Sequence, residues 1–222
     1  MCSSDLAARF YAWAVEAGLI GVSPAIAIPI PRAGRGLPRP IAETDLIGAL
    51  DAAPERIRLW LVLAAWCGLR ACEIAYLRAE NILLHASVPR LHIAADATKG
   101  LTEHMVPLCT FARGEIADAR LPATGWAFRR RDGQAGPNRP ALVSHLANDH
   151  LHGCGIASTI HKLRHRFATE FYDSSGHDLL ALRDVLGHKS IQSTTIYTLV
   201  RSPAAAKAVE GIPAPRRLRA CG

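Results

Sequence analysis

Residues 23–40, SPAIAIPIPRAGRGLPRP, limit what this chain can fold into more than any other stretch. Pro24, Pro29, Pro31, Pro38 and Pro40 each lock φ and lack an N–H, and Gly34 and Gly36 loosen the backbone between them. Neither a continuous helix nor a central strand can cross such a segment. It reads as a linker, and it divides the 222 residues unequally. Before it, Leu6, Phe10, Trp13 and Ala17 recur at helical spacing until Gly18, so residues 1–22 are expected to be the last helix of a preceding domain. After it, residues 41–213 are long enough for one domain with its own core, since domains run to about 100–200 residues. Residues 214–222 form a basic tail. Cys2 to Leu6 back-translates as TGC-TCT-TCC-GAT-CT, the end of a widely used sequencing-library adapter, and the natural protein is expected to extend further toward its amino end.

Half the residues are hydrophobic, which supports a packed core, and the net charge is +7 with a pI near 9.4. That balance favours a polyanionic partner. Arginine outnumbers lysine, which occurs at Lys99, Lys162, Lys189 and Lys207. Cys2, Cys67, Cys72, Cys109, Cys154 and Cys221 form no CxxC pair, and there is no secretory signal. They read as reduced thiols of a cytoplasmic protein. The longest apolar run, Leu59 to Leu69, is too short to span a bilayer, so no membrane association is expected.

The pattern after the linker predicts a mainly α fold with a small three-stranded antiparallel sheet. Helices are expected at Ile41–Leu50 (capped near Thr44 or Asp45), Glu55–Cys67 and Ala71–Leu77. The strands are NILLH, PRLHIAA and TEHMVPL, with DATKGL (96–101) as the turn between the second and third. Helices follow at Phe111–Ala119, Arg139–His152, Thr159–Ser174, Leu179–Leu186 and Ser193–Val200, with a last short one in SPAAAKAVEGIP.

One of these helices is chemically odd. HKLRHRFATEFY sets His161, Arg164, His165 and Arg166 beside Leu163, Phe167 and Phe171. Charge on a core-facing helix is costly to desolvate unless a partner offsets it. Phosphate is the partner the residue types suggest. Arg70 and Arg164 come from different helices, and two guanidinium forks can clamp non-bridging oxygens as their charge grows in a transition state. His161 stands one turn before Arg164 and shares its face. A tyrosine hydroxyl, with a pKa of about 10, becomes a nucleophile at neutral pH only in a strongly positive site or beside a base. The leaving deoxyribose oxygen needs a proton, which Lys99 in its turn could supply. His188 could hydrogen-bond the phosphate. Glu73, three residues after Arg70, reads equally well as a surface glutamate or as the group that orients an arginine. Lys99 has the alternative of a solvated turn lysine. His161 and His165 at i, i+4 lack a matching third ligand, so neither a metal nor any other cofactor is expected. His145, His150 and His152 read as a polar helix face, and Tyr11, Tyr76 and Tyr172 as core. GRGLPRP and RRRDGQAGPNRP are basic loops that either track a DNA backbone or are simply solvated.

The ordered set Gly68-Leu69-Arg70-Ala71-Cys72-Glu73, Thr98-Lys99-Gly100, His161-Lys162-Leu163-Arg164-His165, Leu186-Gly187-His188 and Tyr197 resembles the tyrosine recombinase (phage integrase) family. Supporting phrases are GLRACEI, HKLRHRFAT, LGHKSIQSTTIYT and GWAF at Gly125–Phe128, and the resemblance covers about Pro38 to Pro213. It implies the catalytic-domain fold of these DNA breaking-rejoining enzymes. Its catalytic set would be Arg70, Lys99, His161, Arg164, His188 and the nucleophile Tyr197, with His165 structural. It also implies a 3′-phosphotyrosine intermediate that conserves the bond energy without metal or ATP, and double-stranded DNA as partner. The full-length protein would act as a homotetramer on DNA, in a bacterial or phage-encoded setting, and residues 1–22 would be the remnant of an N-terminal core-binding domain. The alternatives are a type IB topoisomerase-like relaxing enzyme and a truncated DNA-binding fragment. The segment after Tyr197 is expected to dock on a neighbouring protomer or on its own core.

Overall fold

The computed structural model describes residues 3–27, 41–98, 102–130, 132–176, 178–187 and 203–213, and the chain divides into two units, Met1–Pro38 and Arg39–Gly222. In the first, helix α1 (Ser3–Glu16) is followed by a 3-10 turn at Pro24–Ala27. Phe10 and Trp13, on the periodic stripe of α1, are both more than half exposed, with ring centroids 5.8 Å apart.

The second unit opens with α2 (Glu43–Asp51). Its N-cap is Ala42, which offers no side-chain bond; the expected caps Thr44 and Asp45 fall inside the first turn. There Glu43 and Asp45 favour the positive end of the helix dipole instead. Helix α3 (Glu55–Trp66) is buried on every side from Leu59 to Trp66. A helix that is apolar all round must be surrounded, and α3 is the axis on which the rest packs. Gly68 ends it with φ 67°, and a Cβ there would lie 2.4 Å from Cδ1 of Phe167, so only glycine fits. A short helix, α4 (Ala71–Ala75), follows at once.

The three strands are present in sequence order and antiparallel: β1 (Ile82–Leu83), β2 (Arg90–Ile93) and β3 (His104–Pro107), with Leu91 paired to both Ile82 and Val106. Each is shorter than its apolar alternation suggested. The β2–β3 link is also longer than the expected turn, because a 3-10 turn at Ala95–Ala97 takes the backbone out of the sheet. GWAF pairs with the segment after α4 through an isolated bridge between Arg78 and Trp126, and Phe128 packs against Trp60.

Helices then return as α5 (Thr110–Asp118), α6 (Pro140–Gly153), α7 (Ile160–Ser174), α8 (Leu179–Leu186) and α9 (Pro203–Glu210). Proline at the first position of α6 costs no hydrogen bond. The hydroxyl of Thr159 caps α7, and Asp178 caps α8 by accepting from Leu180 and Ala181 N–H. Ile160, Leu163, Phe167 and Phe171 give α7 the stripe that packs on α3. Of the segment after Tyr197, α9 packs on α7 and β3 of its own chain. Trp66 Nε1 donates to the Pro213 carbonyl at 3.2 Å, and Glu210 accepts from Thr110. The expected helix Ser193–Val200 lies outside the described residues. Tyr11, Tyr76 and Tyr172, expected in the core, are only half-buried, and no helix among the described residues is long and apolar enough to cross a membrane.

Candidate active site

The Gly68 turn fixes the site. By ending α3 it sets Arg70 at the N-cap of α4, and the Glu73 carboxylate accepts the Arg70 backbone N–H at 2.8 Å, half of a capping box. The other carboxylate oxygen accepts Arg70 Nη1 at 2.7 Å. Arg164, on the α7 face that carries Leu163 and Phe167, donates through Nη1 to Glu73 at 3.2 Å and to the Gly68 carbonyl. Its Nη2 donates to the Leu186 carbonyl at 2.8 Å, which Arg70 Nη1 also reaches at 3.3 Å. One carboxylate and one carbonyl therefore tie together two guanidiniums that are distant in sequence.

Access differs sharply within this group. The Glu73 side chain is 0% exposed and that of Arg164 5%, whereas Arg70 keeps 27%. Burial pushes the Arg164 pKa down to about 10 and Glu73 opposes it, so the group stays charged at neutral pH. Among the described residues two cations share this one carboxylate, and Arg70 is the member that solvent reaches.

The basic run of α7 is split by its helical phase. Arg164 and Arg166 are both buried. Arg166 lies over the Trp66 ring, 5.1 Å from its centroid, with Glu170 at 3.9 Å. His161, Lys162 and His165 are the exposed members, and the two histidine rings meet edge to face at 4.6 Å. Partial desolvation, then repulsion from His165, Arg164 and Arg70, lowers the His161 pKa. It lies within the field of both guanidiniums.

The structure thus unites Arg70, Glu73 and Arg164 with His161 beside them. Lys99, His188 and Tyr197 lie outside the described residues. Flanking Lys99, Thr102 N–H donates to Thr98 Oγ1 at 2.8 Å, and His188 directly follows the described Gly187. Three participants escaped the motif reading: the Gly68 and Leu186 carbonyls and the buried His104 of β3. Strand alternation placed His104 on the inward face with Val106, a signal for a polar residue aimed at the core. Among the described residues no group of three or more His, Cys, Asp or Glu side chains is arranged to hold a metal ion. His150 binds the Ala49 carbonyl at 2.7 Å, while His145 pairs with Asp149 at 3.3 Å. In the basic loop, Arg130 is held by Asp132 and Gln134.

The sequence profile of the phage integrase family matches residues 42–202. The chain belongs to the phage integrase family. Tyrosine recombinase XerD of Pseudomonas aeruginosa is 31% identical over 216 residues, covering 85% of this chain and 66% of that protein. Tyrosine recombinase XerC of Rhodospirillum centenum is 34% identical over 206 residues, covering 85% and 58%. The chain therefore spans about three fifths to two thirds of these curated relatives. Among solved structures, the integrase from mycobacterium phage Brujita superposes with a TM-score of 0.68 at 27% identity, over 97% of this chain and 72% of that one. Its likeness supports the mainly α, three-stranded reading as the fold of integrase catalytic domains.

Proposed function

We propose that residues 41–213 are the catalytic domain of a site-specific DNA recombinase, joined through a linker at 23–40 to the last helix of a core-binding domain. One observation carries this reading: two guanidiniums from separate elements share a fully buried carboxylate in a member of the phage integrase family. Arg70 and Arg164 hold the scissile phosphate, with Glu73 fixing both. The two guanidiniums favour ionisation of Tyr197, whose proton leaves to solvent. Its phenolate attacks phosphorus, so a phosphotyrosine bond forms as the bond to the 5′ oxygen breaks, and Lys99 protonates that leaving oxygen. His161 and His188 hydrogen-bond the phosphate. Guanidinium charge does the work a metal ion does elsewhere, and the covalent link keeps the energy needed for rejoining. The net charge of +7 suits duplex DNA as partner, and a homotetramer on DNA in the cytoplasm of a bacterial host is the assembly we propose for the full-length protein.

The test uses nicked duplexes covering the DNA beside the gene. The wild-type chain forms a covalent adduct on a denaturing gel, in EDTA as in its absence. Tyr197→Phe binds the same DNA and forms none. An adduct from Tyr197→Phe would remove the nucleophile from this reading.

A further inference from the structure

Strand β3 brings to the arginine pair one side chain with no role assigned so far. His104 is 8% exposed, and its Nδ1 lies 3.4 Å from the Thr102 carbonyl. Its ring lies directly beneath Gly187, which ends α8 in the left-handed conformation at φ 62°. A Cβ built on Gly187 would come within 2.6 Å of His104 Nδ1, 2.7 Å of Cε1 and 3.0 Å of Cγ. Ring and turn are therefore fitted to each other. Glycine is needed above, and a smaller side chain below would leave a void against which the turn could settle. What the turn presents is the Leu186 carbonyl, the acceptor shared by Arg70 Nη1 and Arg164 Nη2. The ring also lies in the field of Glu73, Arg164 and Arg70. Burial is the largest influence and lowers its pKa; Glu73 opposes burial, and the two arginines reinforce it.

We propose that His104 is a positioning residue for the arginine pair: its ring is the wedge under Gly187 that holds the Leu186 carbonyl where both guanidiniums close on it. The inference rests on the strand-cleavage reading for its activity readout and on backbone geometry for the rest. Carbonyl displacement would tilt two donors at once, and misplacement by about 1 Å costs on the order of a hundredfold in rate.

The experiment uses the full chain with His104→Ala and His104→Gln, the latter close to histidine in volume. Single-turnover cleavage at saturating protein falls about a hundredfold in His104→Ala. DNA affinity stays within about threefold, which separates loss of transition-state geometry from loss of binding. Amide exchange at Leu186 and Gly187 speeds up about tenfold as the turn loosens. His104→Gln restores rate and exchange together. Native cleavage by folded His104→Ala overturns the inference, and so does slowed cleavage with unchanged exchange at Leu186 and Gly187, because the turn has then not moved. If the wild type forms no adduct, the recombinase reading fails by itself. Exchange still decides the wedge: acceleration in His104→Ala sustains it, and no change overturns it.

Discussion

Arg58 on α3 and the Arg70–Arg164 pair are both held by glutamate, but in opposite proportions. Arg58 Nε and Nη2 meet the two oxygens of Glu115 at 2.7 and 2.6 Å, while Nη1 donates to the Leu50 carbonyl at 2.9 Å and lies 3.4 Å from Asp51. One guanidinium faces two carboxylates, and its pKa is raised, chiefly by the hydrogen bond to Glu115. At Glu73 one carboxylate faces two guanidiniums, and burial drives the Arg164 pKa the other way. The Arg58 cluster satisfies its arginine within the protein and fastens α5 to α3. Among the described residues the Glu73 cluster sets two guanidiniums on one carboxylate, and Arg70 meets solvent. The ratio of cations to acids, more than the presence of an ion pair, distinguishes a structural fork from a site that attracts an anion.

The contrast is tested most severely at the arginines. Arg164→Ala lowers adduct formation by the folded protein about a thousandfold, the upper range for deleting one preorganised donor. Arg58→Ala leaves the rate per folded molecule unchanged, and comparable losses in the two variants would erase the distinction. Glu73→Gln comes next. It leaves two buried or half-buried guanidiniums without their shared anion, and urea unfolding registers a loss of about 3 kcal/mol. A variant as stable as the wild type would show that the carbonyls alone hold the pair. Glu115→Gln sits lower on the scale, at about 1 kcal/mol, because its ion pair is partly exposed and Arg58 retains Asp51.

The smallest effect is a pH dependence. Burial lowers the His104 pKa below the ordinary histidine value of about 6.5, and partial desolvation does the same for His161. A histidine depressed in the folded state binds its proton more readily when unfolded. Its stability contribution is therefore whole above about pH 6.5 and lost as pH falls from there toward the folded-state pKa. The urea midpoint declines on acidification from about pH 7, and His104→Gln flattens part of that decline. An identical slope in the variant excludes His104 from it.

Much of this architecture could be read along the chain. The period of Ile160, Leu163, Phe167 and Phe171 locates α7 within a residue, and Gly68 and Gly187 mark the ends of α3 and α8. Alternation finds all three strands but overstates their length, because alternation alone does not say where the pairing partner stops. At α7 the limit is sharper. Arg164, His165 and Arg166 are consecutive, yet the first and last are buried and the middle one is exposed. Burial of Arg166 depends on Trp66 supplying a ring face, and Trp66 lies 100 positions earlier in the chain. Glu73 is the clearest case. Its spacing from Arg70 fits a surface pair as well as an orienting role, and only the packing of α7 against the Gly68 turn delivers Arg164 to the same carboxylate.

Helical phase, strand alternation, the glycine stops and the order of the reactive residues follow from the chain alone, since each depends on sterics and periodicity acting over a few positions. Which charges are stripped of water, which carbonyl two arginines share, and why a histidine stands beneath a glycine were decided by folding. Desolvation and hydrogen-bond partnership are properties of neighbours in space, and here those neighbours come from α4, α7, α8 and β3, segments far apart along the chain.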